Sequence, residues 1–158
     1  MEMLMSVGHD QPGLVHAPAV PYEVSRVKIA EFAEAIGDPN PLFRDRGAAR
    51  QVGYPDVIAP PTFAVVLSLP GSIEAVADAL PDPDYSRVVH VEQRFECPRP
   101  IHAGDVLRAH TAVTGIRKMR GNVVVSTRTS IQSEDGQHVC TAFHTLAQRP
   151  GNEPADGR

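Results

Sequence analysis

The segment Phe63-Ala64-Val65-Val66-Leu67-Ser68-Leu69 most narrows what this chain can become. At helical spacing it presents apolar side chains on nearly every side, and such a helix is stable only when other structure wraps it. The helical run extends from Thr62 to Leu80, with Pro70-Gly71 placed to kink or split it and Ser72 placed to cap a second half. The second half of the chain can supply the wrapping. From Tyr85 the period becomes two: Val89, Val91, Gln93 and Phe95 alternate with His90, Glu92, Arg94 and Glu96. Val123, Val125, Thr127, Thr129 and Ile131 alternate in the same way. Val139, Thr141, Phe143 and Thr145 lie beyond Asp135-Gly136, a dipeptide that favours a tight hairpin. Ala103-Gly104-Asp105 and Met119-Arg120-Gly121-Asn122 mark two further turns. Strands at about residues 86–97, 105–117, 122–133 and 137–148 therefore form an antiparallel run. Helices first and strands after mean an α+β domain in which the apolar helix lies against the core face of the sheet.

The first half supplies two shorter helices and a rigid turn. Ile29, Phe32, Ala33 and Ile36 recur at helical spacing, Ser25 is placed to cap that helix and Gly37 to end it. Asp38-Pro39-Asn40-Pro41 then forbids continuation, because each proline lacks an N–H and pushes the residue before it out of the helical region. Asp38 and Asn40 are thereby held on a stiff turn, where their side chains either brace the turn or face a ligand. A short helix around Arg46 to Val52 leads into Gly53-Tyr54-Pro55-Asp56-Val57-Ile58-Ala59-Pro60-Pro61, an extended loop that delivers the chain to the apolar helix.

A length of 158 residues with 42% hydrophobic content suits one domain with one core. Residues 1–20 are expected to be a flexible N-terminal segment, 21–149 the domain, and 150–158 a disordered tail. A net charge of −4 with scattered Lys and Arg offers no basic face for nucleic acid. No apolar run reaches the roughly 18 residues of a membrane span and no signal-peptide pattern opens the chain, so a cytoplasmic location is expected. Cys97 and Cys140 read as reduced bystanders. His102, His110, His138 and His144 show no metal-ligand spacing, and no glycine-rich phosphate loop points to a nucleotide; neither a metal nor a cofactor is expected.

Three places carry a resemblance, which spans about residues 20–148. Asp38-Pro39-Asn40-Pro41-Leu42-Phe43-Arg44-Asp45 resembles the Asp-x-Asn-Pro-x-His-x-Asp segment of MaoC-like enoyl-thioester hydratases and dehydratases. Val57-Ile58-Ala59-Pro60-Pro61-Thr62-Phe63 matches that family's approach to its central helix, and Arg99-Pro100-Ile101-His102-Ala103-Gly104-Asp105-Val106-Leu107 its Arg-Pro-x-x-x-Gly-Asp turn. The resemblance implies a hot-dog fold, a single antiparallel sheet wrapped around a central apolar helix. It also implies chemistry on 3-hydroxyacyl thioesters of acyl carrier protein or coenzyme A, by an Asp and His dyad oriented by an Asn.

Two of those places depart from the catalytic pattern. Phe43 stands where the dyad histidine belongs, and a phenyl ring neither donates nor accepts a proton. Pro60-Pro61 replace a His-Gly pair whose glycine N–H polarises the thioester carbonyl, leaving Thr62 or Phe63 as the donor. These departures resemble the non-catalytic, HadA-type subunits of heterodimeric (3R)-hydroxyacyl-carrier-protein dehydratases. The resemblance implies that Asp38 and Asn40 are remnants of the catalytic motif, with Phe43, Tyr54, Pro60, Pro61, Thr62 and Phe63 lining the acyl substrate. Three functions stay open at this point. The first is a substrate-accommodating chain paired with a catalytic MaoC-like partner. The second is a self-sufficient hydratase, dehydratase or thioesterase using Asp38 with His90 or an unrecognised group; a dimer is expected in any case, with a catalytic MaoC-like chain or as a homodimer. The third is an acyl-binding module without catalysis.

Overall fold

The computed structural model describes residues 15–16, 20–80 and 82–150. In chain order the elements are β1 (Val15–His16), β2 (Tyr22–Glu23), α1 (Arg26–Ala35), α2 (Arg46–Gln51), α3 (Val65–Ala79), β3 (Val88–Glu96), β4 (Val106–Met119), β5 (Asn122–Ser133) and β6 (His138–Gln148). The strands form one antiparallel sheet ordered β1-β4-β5-β6-β3, with β2 also paired to β4. α3 packs against β4, β5 and β6. This is the expected α+β hot-dog architecture. Of the segment 1–20, expected to be flexible, Val15–His16 pairs with Ala112 and Thr111 of β4; residues 1–14, 17–19 and 151–158 lie outside the described residues. Among the described residues no helix is long and apolar enough to cross a membrane.

The helix ends are set by local chemistry. Ser25 Oγ accepts from the Lys28 N–H at 3.1 Å and caps α1. At the other end Gly37, at φ +70°, turns the chain left-handed, so that its N–H reaches Glu34 O and the Asp38 N–H reaches Ala33 O at 2.9 Å. Asp45 caps α2 by accepting from Gly47 and Ala48.

α3 departs from expectation. Pro70 sits inside one continuous helix and neither splits it nor makes Ser72 a cap. The helix begins at Val65, after turns at 61–64. Its glycine serves close packing: a Cβ on Gly71 would stand 2.5 Å from Thr111 Oγ1 and 3.1 Å from Thr111 Cβ. Around it the buried polar groups are paired. Ser72 Oγ lies 2.8 Å from Thr127 Oγ1, and Thr111 Oγ1 lies 2.8 Å from Thr129 Oγ1. Both serines of α3 also donate back to its own carbonyls, Ser68 to Ala64 and Ser72 to Ser68.

The main core lies under the first half of α3 and includes Val24, Ile29, Phe43, Val57, Phe63, Leu107 and Ile131, with the Phe32 and Phe63 rings edge to face at 5.4 Å. Full burial of side chains of this size contributes about 1.5–3 kcal/mol each. A smaller cluster of Val76, Leu80, Val125 and Leu146 closes the far end.

Two irregularities reset the faces of the sheet. The β3/β6 register shifts between His90 and Glu92, a bulge at Val91. Strict alternation puts His90 on one side with Glu92 and Arg94. In the structure His90 pairs with Leu146, Gln93 with His144 and Phe95 with Ala142, so all three share the inner side; Glu92 and Arg94 face outward. Beyond a second shift, between Ile131 and Gln132, Cys140, Ala142, His144 and Leu146 share the inner side of β6 and are buried; Thr141 and Ala147 are buried on the other side, where Phe143 is half-buried with the Arg94 guanidinium 4.0 Å over its ring. Cys97 and Cys140 are not the reduced bystanders expected. They come just after the Glu96↔Thr141 pair across β3 and β6, 4.1 Å apart at Cα, and are joined by a disulfide.

Gly71→Ala is expected to lower stability by about 1–3 kcal/mol in urea denaturation, because it overpacks a seam that has no room for a methyl group. Thr111→Ala in the same chain should recover part of the loss.

Candidate functional site

The three segments that carried the resemblance, far apart in sequence, are bonded to one another. The Ile58 N–H donates to Leu42 O at 3.1 Å, the Ala59 N–H to Ile101 O at 2.7 Å and the Ala103 N–H to Val57 O at 3.0 Å. Two carboxylates secure this network. Asp56 accepts from Arg26 Nε at 2.8 Å, Arg26 Nη2 at 2.7 Å and the Val57 N–H at 2.8 Å, with Arg46 Nε 3.2 Å away. The hydrogen-bonded Arg26 guanidinium holds the Asp56 carboxyl well below the usual carboxylate range. Asp105 accepts from both terminal nitrogens of Arg99, at 2.8 and 2.9 Å, and from the His102 N–H at 2.9 Å.

Within this frame the polar side chains of the motif brace their own backbone. Asp38 Oδ1 accepts from the Asn40 N–H and Asn40 Oδ1 from the Leu42 N–H, each at 3.0 Å. Arg44 closes the loop by donating to Asp38 O at 2.7 Å. Phe43 points into the core and is 3% exposed, because an aromatic ring at this position gains more from packing than from water. At the start of α3, Pro60 is buried and Phe63 is fully buried, and the Phe63 N–H is taken by Pro60 O at 2.9 Å. The Thr62 N–H is left as the candidate donor, on an exposed residue. Of the residues expected to line the acyl group, Pro61 and Thr62 are exposed and Tyr54 is half-buried, while Phe43, Pro60 and Phe63 are enclosed.

His90 is brought to a different neighbourhood. Among the described residues it shares no contact with Asp38. Its Nε2 lies 3.0 Å from His144 Nδ1, and His144 Nε2 lies 2.8 Å from Ser68 Oγ on α3. His144 is 1% exposed, with the Phe95 ring edge against it at a centroid distance of 6.2 Å. Burial, reinforced by the neighbouring His90, lowers its pKa to about 4. Sequence reasoning passed over His144 and Ser68, since registers 54 and 76 residues apart decide the meeting. The one available signal was Ser68, a lone hydroxyl in an otherwise apolar stretch that needs a partner once buried.

Two hollows lie on the surface of the described residues. A cavity of about 480 Å³ is lined by Arg99, His102, Asp105, Ser133, Asp135 and Gln137, and its central charges, Arg99 and Asp105, already satisfy each other. Another, of about 180 Å³, lies among Glu92, Arg94, Ser126, Phe143 and Thr145. Among the described residues no three His, Cys, Asp or Glu side chains gather as metal ligands would.

Comparison with known proteins agrees with this architecture. Residues 10–142 match the family described as "FAS1-like, dehydratase domain region". A "UPF0336 protein" of Thermobifida fusca is 46% identical over 151 residues, covering 96% of this chain and 99% of that one. Among solved structures, the C-terminally truncated HadBC (3R-hydroxyacyl-ACP dehydratase) complex of Mycobacterium tuberculosis contains a chain that superposes with a TM-score of 0.72 at 30% identity. That match covers 85% of this chain and 95% of the other. A "MaoC-like dehydratase" superposes at 0.76 and 28% identity, over 87% of this chain and 42% of its own.

The lowered value of His144 fixes a pH dependence. Between its ordinary value near 6.5 and about 4, the unfolded chain binds a proton that the folded chain refuses. Its contribution is thus fully present above pH 6.5 and is lost on acidification toward pH 4, by up to about 1.4 kcal/mol per unit. Urea midpoints at pH 7 and pH 4.5 should differ more for the wild-type chain than for His144→Asn.

Proposed function

The chain belongs to the family of FAS1-like dehydratase regions, and from that premise we propose that it is the non-catalytic, substrate-accommodating subunit of a (3R)-hydroxyacyl-thioester dehydratase. The observation that carries the reading is Phe43, buried in the core where the dyad histidine would stand. Removing a general acid or base costs about 10²–10⁴ in rate. The remaining groups do not make good the loss, for Asp38 and Asn40 are occupied in bracing their turn and the Phe63 N–H is spent on Pro60. Of the two N–H groups expected to polarise the carbonyl, only that of Thr62 remains as a candidate, and one such donor is worth about 10²–10³ in rate.

In this reading a second MaoC-like chain, with Asp and His intact, does the chemistry. The present chain completes the dimer and offers Tyr54, Pro61 and Thr62 to the acyl thioester. The HadBC complex, named as a 3R-hydroxyacyl-ACP dehydratase, supports the arrangement by likeness. The open edge of β3 offers a place to pair.

Purified alone, the chain should not hydrate crotonyl-coenzyme A. Co-expressed with a MaoC-like chain bearing the intact motif, it should co-purify and the pair should hydrate enoyl thioesters, read as loss of enoyl absorbance. Hydration by the single chain that disappears in Asp38→Ala overturns the proposal in favour of a self-sufficient hydratase.

A further inference from the structure

The hydrogen bonds joining His90, His144 and Ser68 have a direction that can be worked out atom by atom. The single hydroxyl proton of Ser68 goes to Ala64 O, 2.9 Å away. Ser68 Oγ therefore accepts from His144 Nε2 at 2.8 Å, so His144 carries its proton on that nitrogen. Buried and neutral at pH 7, His144 has an unprotonated Nδ1, which can only accept. Its partner 3.0 Å away, His90 Nε2, must then be the donor. When His90 is neutral its one proton is used in this way. Its Nδ1 is left as an acceptor with no protein partner among the described residues.

That nitrogen sits where a ligand can reach it. His90 shares the inner side of the sheet with Leu146 and Val125, both buried, yet it is exposed because β3 is the outermost strand. The Val91 bulge sets Gln93 on the same inner side, also exposed, beside the partly buried Phe95. The rim thus combines a fixed acceptor, an amide and an aromatic ring.

We propose that His90, oriented by His144 and Ser68, is a binding site for a hydrogen-bond donor of an acyl thioester, either its 3-hydroxyl or an amide N–H of its pantetheine arm. The inference rests on the thioester reading above. His144 and Ser68 are positioning residues: they decide which nitrogen of His90 faces outward and hold the ring still. Gln93 is suited to the next amide along a pantetheine chain.

The test is long-range ¹H–¹⁵N NMR of the imidazoles in the full chain, titrated with 3-hydroxybutyryl-pantetheine, butyryl-pantetheine and 3-hydroxybutyrate. The His90 Nδ1 resonance should move on addition of 3-hydroxybutyryl-pantetheine, while His144 stays in its neutral Nε2–H form. His90→Phe, at an exposed position, should weaken binding about tenfold. His144→Leu should weaken it similarly, and His144→Asn, which keeps an acceptor near the place of Nδ1, should restore most of it. Binding of butyryl-pantetheine identifies the amide as the donor; binding of 3-hydroxybutyrate without it identifies the hydroxyl. A His90 signal that does not move at saturation, no binding of any of the three, or wild-type affinity in His90→Phe overturns the proposal. The titration needs no second chain, so its failure leaves the two-chain reading to be judged by co-expression, and the reverse holds equally.

Discussion

The closeness of α3 to the sheet governs the rest of the molecule. At Gly71 the helix backbone comes within reach of the Thr111 side chain, at a distance that excludes even a methyl group. Bringing backbone and hydroxyls so deep into a core is tolerable only when every polar group finds a partner, and here each does: Ser72 with Thr127, Thr111 with Thr129, Ser68 with His144. The two pairs that run from helix to sheet, Ser72 with Thr127 and Ser68 with His144, fix the rotation and depth of the helix, because a hydrogen bond is short and directional where an apolar contact is not. With the helix fixed, so is the place where its first turn meets the 57–60 loop, and through that loop the Asp38 turn and the 99–105 turn.

Much of the fold was legible because it rests on local rules. The change of period near Tyr85, the Asp135-Gly136 hairpin, the Ser25 cap and the prolines after Gly37 each act over a few residues, and the expected strands differ from those observed by no more than about two residues at either end. The misreadings share one cause. Pro70-Gly71 resembles a break, and only the proximity of β4 shows that the glycine is there for contact. A single inserted residue at Val91 exchanged the faces of half a strand, which alternation cannot reveal because it counts along one chain and a bulge is defined by two. The Cys97–Cys140 disulfide depends on the same strand register.

The candidate site divides the same way. The bonds of Asp38 and Asn40 are made within two residues, so turn bracing was readable from the sequence as one of two alternatives. The departure at Phe43 from the histidine that the resemblance expects was readable from residue type alone. The histidine pair was invisible: His90 was weighed as an isolated base and His144 set aside for want of a metal pattern, and only the pairing of β3 with β6 makes them one unit. A group judged singly by its neighbours in sequence is misjudged when its partner arrives from another strand.

The Val91 irregularity has one more effect. An outermost strand exposes a row of unpaired amides and carbonyls, and a flat, regular row invites any extended chain to add to it. In β3 that row is interrupted, with Val91 thrown out to 60% exposure and Glu92, Arg94 and Glu96 beyond it. Another copy of the same edge would meet bulge against bulge, and stacked fibrils would have to reproduce the mismatch at every layer. The interruption therefore works as a lock against indiscriminate strand addition, opening only to a surface cut to the same pattern.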